Sequence, residues 1–207
     1  MKRLTVHFLA FLVLCSCTAK SLGPDEWRGY LLNESHGLIK TKVWNGISSV
    51  VSYRPTDAMI WQEFGYQESV SVEDWDSLGK KYIDHTYLNL SLSSDSTDLL
   101  SALGPQDPRY YEVLKNLSYN MSQNCGIVTA CKDTLAPKFA QFFRGYGSGI
   151  SSDVLLVFEA KPLKACESFN FYVRDIGLNL PILTYEFDMK SIEKIPQLKL
   201  PQKSLKE

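Results

Sequence analysis

The chain has 207 residues, 22 basic against 23 acidic, with 44% hydrophobic and 12% aromatic residues. That is a globular composition, too apolar for a disordered chain and without the positive charge that nucleic-acid binding requires. It is long enough for one domain with a real core, and no internal repeat or low-complexity linker divides it.

Met1-Lys2-Arg3 precedes an apolar run from Leu4 to Leu14, then Cys15-Ser16-Cys17. This is the layout of a signal peptide. As a helix the run rises only ~16 Å, roughly half of a hydrocarbon core, so it is too short for a permanent span. Leu14-Cys15-Ser16-Cys17 reads as a lipobox, with Leu at −3 and the Cys17 thiol taking the diacylglycerol. Cys at −2 departs from the usual motif. Cys15 fits worse as the modified residue because bulky Leu14 precedes it. The competing reading is cleavage after Cys17-Thr18-Ala19 by the general peptidase, releasing a free secreted chain. Two or three acyl chains, at ~0.8 kcal/mol per buried methylene, would anchor the domain essentially permanently.

The expected organisation is therefore a lipoprotein signal peptide over 1–16, a membrane tether over 17–30, a single domain over 31–200 and a loose tail over 201–207. Gly23, Pro24 and Gly29 suggest the tether. Without residues 1–16 the balance is 20 basic to 23 acidic residues, a net of −3.

Leu38–Trp44 and Ile47–Tyr53 flank Asn45-Gly46, the strongest short hairpin signal, since both central positions of a type I′ turn need positive φ. Pro55-Thr56-Asp57 caps a short helix over 58–64. A polar helix over 73–82 places Trp75, Leu78 and Tyr82 on one face. Tyr87–Leu92 alternates as a strand. Ser94–Asp98 turns the chain and caps Leu99–Leu103. Asp107-Pro108 opens a longer helix with Tyr111, Leu114, Leu117 and Met121 inward. Short strands follow over 127–130, 139–143, 154–158, 169–173 and 182–187, punctuated by Gly, Pro or Asp. Short links between strands imply antiparallel pairing. The expected fold is α+β: a single domain with a mostly antiparallel sheet and a few short helices packed on it. From Lys190 onward, five lysines against two glutamates suggest a solvated, partly loose C-terminus.

With Cys17 acylated, Cys125, Cys131 and Cys166 remain, an odd number that implies one pair and one spare. Cys125 and Cys131 could close a ~7-residue ring worth about 2.4 kcal/mol. Cys166 is able to pair with either, and all three as buried hydrophobes is the plainer alternative.

Several stretches, taken in order, are similar to a group of uncharacterised envelope lipoproteins from Bacteroidota. They are the lipobox, Gly37-Leu38-Ile39-Lys40 before Asn45-Gly46-Ile47, Tyr53-Arg54-Pro55, Phe142-Phe143-Arg144-Gly145-Tyr146-Gly147, Leu155-Leu156-Val157-Phe158, and Phe187-Asp188-Met189-Lys190 to Ile195-Pro196. The resemblance implies a lipid-anchored envelope protein and carries over no functional residue except Cys17. Thr18, which is not the aspartate that retains lipoproteins at the inner membrane in some bacteria, suggests the outer membrane.

No cofactor is expected. After the signal peptide only His36 and His85 remain, with no His-x-x-x-His and no Cys-x-x-Cys, so no metal site is expected either. Asp84-His85 reads as a surface pair. Ser148 lacks the glycine two residues before it that a nucleophile elbow needs, which leaves a hydrolase as a weakly marked alternative. Gly145–Gly149 lacks the lysine and helix of a phosphate loop and reads as a turn between strands. Arg144, Tyr146 and Ser148 are its candidate partner contacts. Trp27, Trp44, Trp61 and Trp75 could form a sugar- or peptide-binding surface, though most such rings belong in a core. Sequons at Asn33, Asn89, Asn116 and Asn120 would mark glycans in a eukaryotic secreted protein and are chance in a bacterium. The expected function is that of a non-catalytic binding or structural module, anchored to the membrane by its N-terminal lipid, with an envelope protein or glycan as partner.

Overall fold

The computed structural model describes residues 21–200 except 68, 96 and 145–148. Helices (35%) and strands (36%) are nearly balanced, and the architecture is a single α+β domain with mostly antiparallel sheets.

The larger sheet begins at the Asn-Gly hairpin, β2 (Ile39–Trp44) and β3 (Ile47–Arg54), whose turn holds Asn45 at φ 49° and Gly46 at φ 76° as a type I′ turn requires. Beyond β3 lie β4 (His85–Ser94), β9 (Ser152–Glu159) and β8 (Phe139–Phe143), with the two-residue β5 (Thr97–Asp98) on the end of β4. A second sheet runs in the order β11 (Leu183–Asp188), β10 (Ser168–Val173), β6 (Cys125–Thr129) and β7 (Thr134–Leu135).

The two sheets share one core because each strand alternates. Val51, Leu88, Leu90, Leu92, Val154, Leu156 and Phe158 of the first face Ile127, Phe169, Phe171, Tyr185 and Phe187 of the second. Phe158 meets Phe171 edge-on at 6.4 Å, and the Tyr185 hydroxyl bonds Ser49 Oγ across the interior at 2.7 Å. α4 (Leu99–Leu103) adds Leu99 and Leu100 to this core. Its start is fixed by buried Asp98, which accepts from the Ser101 backbone N–H and from the hydroxyls of Ser101 and Ser152. Burial works against that carboxylate, but these donors and the Leu100 N–H together hold its pKa below the usual value.

The helical run from α5 (Tyr110–Lys115) to α6 (Met121–Asn124) passes through a π turn at Asn116–Asn120. Tyr110, Val113, Leu117 and Met121 face inward, while Tyr111, expected inside, is exposed. A spacing of three links 110 to 113 as well as 111 to 114, so periodicity alone did not select the tyrosine.

α2 (Thr56–Glu63) and α3 (Val72–Tyr82) cover the other face of the larger sheet, where Met59, Ile60 and Tyr82 pack on Tyr87. α7 (Ala160–Lys164) and α8 (Met189–Glu193) are short helices that contact β4 and β11 respectively.

Two expectations are corrected. The tether does not extend over 17–30: Ser21–Leu22 form β1, and α1 (Pro24–Leu32) follows, with Trp27 buried. Pro24 at the first helical position and Asp25 and Glu26 in the first turn are what start the helix there. β1 pairs in parallel with β12 (Gln197–Leu198), so the segments at the two ends of the described chain are clasped together.

The second correction is the disulfide. It joins Cys131 to Cys166, with Cα atoms 5.9 Å apart, and Cys125 is free. Cys125 opens β6 facing the core, its thiol donating to Met121 O at 2.9 Å. Cys131 lies beyond the other end of that strand, and five extended residues at ~3.4 Å each already exceed the ~7 Å reach of a disulfide. The bond from Ala130 N–H to Ser168 O brings Cys131 to the start of β10, where Cys166 waits. The observed bridge closes a ~36-residue loop, worth about 3.8 kcal/mol, more than the shorter ring would have given. Burial pushes the Cys125 thiol up to about 12, which leaves it protonated and unreactive.

Candidate functional site

The clasp and the sheet enclose a groove of about 390 Å³ between α1, the β2–β3 hairpin and α2. Trp27 and Trp61 form its floor, meeting edge-on at 6.4 Å. Each ring is held by its indole N–H: Trp27 donates to Pro196 O at 2.7 Å, Trp61 to Gln67 O at 2.8 Å. Leu31 and Leu32 of α1, Ile39 of β2 and Ala58 of α2 continue the apolar wall. Leu22, Ile195, Leu198 and Leu200 of the two end segments pack behind the tryptophans.

After α2 the chain turns through Gly65 (φ 60°) and Tyr66 (φ 59°). A bulky residue in the left-handed region is uncommon and costs of order 1 kcal/mol. Here it lays the Tyr66 ring edge-on against Trp61 at 5.3 Å, at the groove mouth. Tyr53 lines the wall, and burial pushes its hydroxyl up to about 12, so it stays neutral.

Two guanidiniums supply the charge. Arg28 lies over Trp61 (5.2 Å) and Tyr66 (5.6 Å), and Arg54 donates from Nη2 to Gln62 Oε1 at 2.9 Å. Among the described residues none that lines the groove is acidic. The ion pairs among the described residues are Lys81–Glu63, Arg109–Asp107 and Lys138–Glu159, so neither groove arginine meets a carboxylate there. The arrangement is an apolar slot with two positioned cations, suited to holding a ligand that has an apolar body and an anionic group.

Of the residues singled out in the sequence, Cys17, Tyr146 and Ser148 lie outside the described residues. Arg144 is described, and it stands elsewhere than the groove. Its Nη2 donates to the Tyr110 hydroxyl at 2.9 Å, beside a recess of about 370 Å³ lined also by Asp98, Leu100, Ser101, Gly104 and Pro105. Of the four tryptophans, Trp44 is exposed at the end of β2 and Trp75 stacks on Phe64 between α2 and α3. His85 begins β4 opposite Glu159, and His36 approaches Tyr30 O through Nδ1 at 2.8 Å. Among the described residues no group of three or more His, Cys, Asp or Glu could hold a metal, and no helix is long and apolar enough to cross a membrane.

Nothing in the sequence marks Arg28, Leu31, Arg54 or Tyr66 as site residues. The one local signal is Pro24-Asp25-Glu26, a helix start that places Arg28 on α1 rather than in a spacer. No known protein family, curated protein or solved structure matches the chain.

Proposed function

We propose that the chain is a lipid-anchored protein of the bacterial envelope, of the Bacteroidota type, acting as a non-catalytic binding module. The observation that carries the binding part is the groove, where ordered indoles and two guanidiniums without carboxylate partners among the described residues are presented together. Groups of this kind hold a partner; none of them is a nucleophile or a general base of the usual sort.

The anchoring part rests on the lipobox ending at Cys17. Only Thr18, Ala19 and Lys20 separate that residue from β1, a path of at most ~14 Å whatever their conformation. An acylated Cys17 therefore holds the clasp and its groove close to the bilayer, and the outer membrane is the location proposed. The partner belongs to the envelope.

The test is globomycin treatment of expressing cells together with the intact mass of the processed chain. Accumulation of the uncut form, and a lipid-sized mass excess on a chain beginning at Cys17, is the expected result. An unmodified chain beginning at Lys20 would replace the anchored module with a freely secreted binding protein.

A further inference from the structure

Building on the reading of the chain as a binding module, we infer that the α1–α2 groove binds a single-chain amphipathic carboxylate, its apolar body on Trp27, Trp61 and Leu31 and its head between Arg28 and Arg54. Three observations select this class. The lining is apolar apart from the two arginines, Ser52 and Tyr53, so the body of the ligand must be apolar as well. Both cations are guanidiniums, whose planar fork matches a carboxylate and, unlike an ammonium, keeps its charge against an aromatic wall.

The third observation is that the cations are held but not neutralised. Arg28 is stacked on Trp61 and Tyr66, and Arg54 is tied to the neutral Gln62 amide. An anion entering the groove displaces no carboxylate of the described residues, so its attraction to the arginines is not spent on breaking an ion pair among them. The indole bonds to Pro196 and Gln67 keep the floor in place without ligand. Little ordering cost then falls on binding. A groove of about 390 Å³ is of the size that holds one small amphipathic molecule.

Photolabelling of the full chain, purified from membranes in a non-ionic detergent, tests this directly. The probes are a decanoate carrying an aliphatic diazirine and the matching decanol, with labelled sites located by peptide mass spectrometry. The decanoate should label α1 and the 56–66 segment about tenfold more than the decanol does, the factor expected from one charge-assisted hydrogen bond. Arg28→Gln, on an exposed side chain whose loss leaves the fold intact, should lower that labelling severalfold. Arg28→Gln with Arg54→Gln should abolish the preference for the acid, and Lys161→Gln on α7 should leave it unchanged.

Equal labelling by acid and alcohol would overturn the assignment of the arginines. Loss of the label to phosphatidylglycerol vesicles, but not to phosphatidylcholine vesicles, would overturn the single-chain carboxylate in favour of a bilayer phospholipid. A photoreactive residue at position 66 in living cells separates this from the broader reading. Cross-linking there to an envelope protein without decanoate labelling sinks the ligand class and leaves a binding module; absence of both sinks the two together.

Discussion

The interior between the two sheets and the clasp at the chain ends are both built on aromatic rings, yet they hold by different means. Between the sheets Phe158, Phe169, Phe171 and Phe187 offer only surface to one another, and each arrives on a strand whose alternation aims it inward. In the clasp Trp27 and Trp61 are each fixed by one directed bond, and Trp27 reaches Pro196, 169 residues away. An interface made of area resists opening as a unit. A smaller apolar cluster pinned by a few directed bonds between distant segments can open locally while the rest stays folded.

The largest effect should come from the interior. Phe171→Ala removes a ring with no solvent exposure from the centre of the sandwich and should cost about 3–5 kcal/mol, read as a lowered urea midpoint with an unchanged slope. A cost below about 1 kcal/mol would mean that the sheets collapse onto the void and that close packing there matters less than the geometry implies.

Trp27→Phe is the matching change in the clasp. It keeps most of the ring and deletes the bond to Pro196 O, leaving that carbonyl without its partner at a cost of about 1–2 kcal/mol. The expected signature is local: faster amide exchange in α1, β1 and β12, with the global urea midpoint little moved. If Trp27→Phe instead lowered the global midpoint as much as Phe171→Ala, clasp and sandwich would form one cooperative unit and the contrast drawn above would fail.

The same contrast governs what the sequence disclosed. The sandwich was legible because its causes are local: Asn45-Gly46 demands its turn, Asp98 demands a helix after it, and the strands advertise themselves by alternation. Sheet order was not legible, since nothing local says that β9 inserts between β4 and β8. The clasp was missed because its causes are tertiary. Gly23, Pro24 and Gly29 suit a spacer as well as a helix that finds a wall to pack on, and only the pairing of Leu22 with Leu198 supplies that wall. Cys131 and Cys166 become neighbours only once β6 and β10 pair, and Arg28 and Arg54 line one groove only after α1 docks beside β3. Residues that act together across the fold, without spacing in the chain to announce them, are what sequence reading could not reach.

The smallest expected effect, Asp57→Asn, probes how tightly the clasp is sealed. Asp57 sits in the first turn of α2, and its pKa is raised above the usual 3.8 mainly by burial, with a backbone hydrogen bond from Leu198 of β12 working the other way. A helix N-terminus favours the carboxylate, but the net direction shows that desolvation wins. A carboxyl whose folded pKa is raised contributes stability fully below its unfolded value, and that contribution is lost as pH rises through the folded pKa. At neutral pH the ionised group therefore works against the clasp. Asparagine keeps an acceptor for the Leu198 N–H and carries no charge. Asp57→Asn should stabilise the protein at pH 7 by something within about 1 kcal/mol, and the gain should shrink on acidification as the native aspartate takes up its proton. Thermal midpoints of the two proteins measured side by side from pH 7 down to pH 4 decide it. A difference that stays flat would mean that β12 leaves Asp57 in contact with water, and one that grows on acidification would mean that the Leu198 bond and the helix terminus outweigh burial.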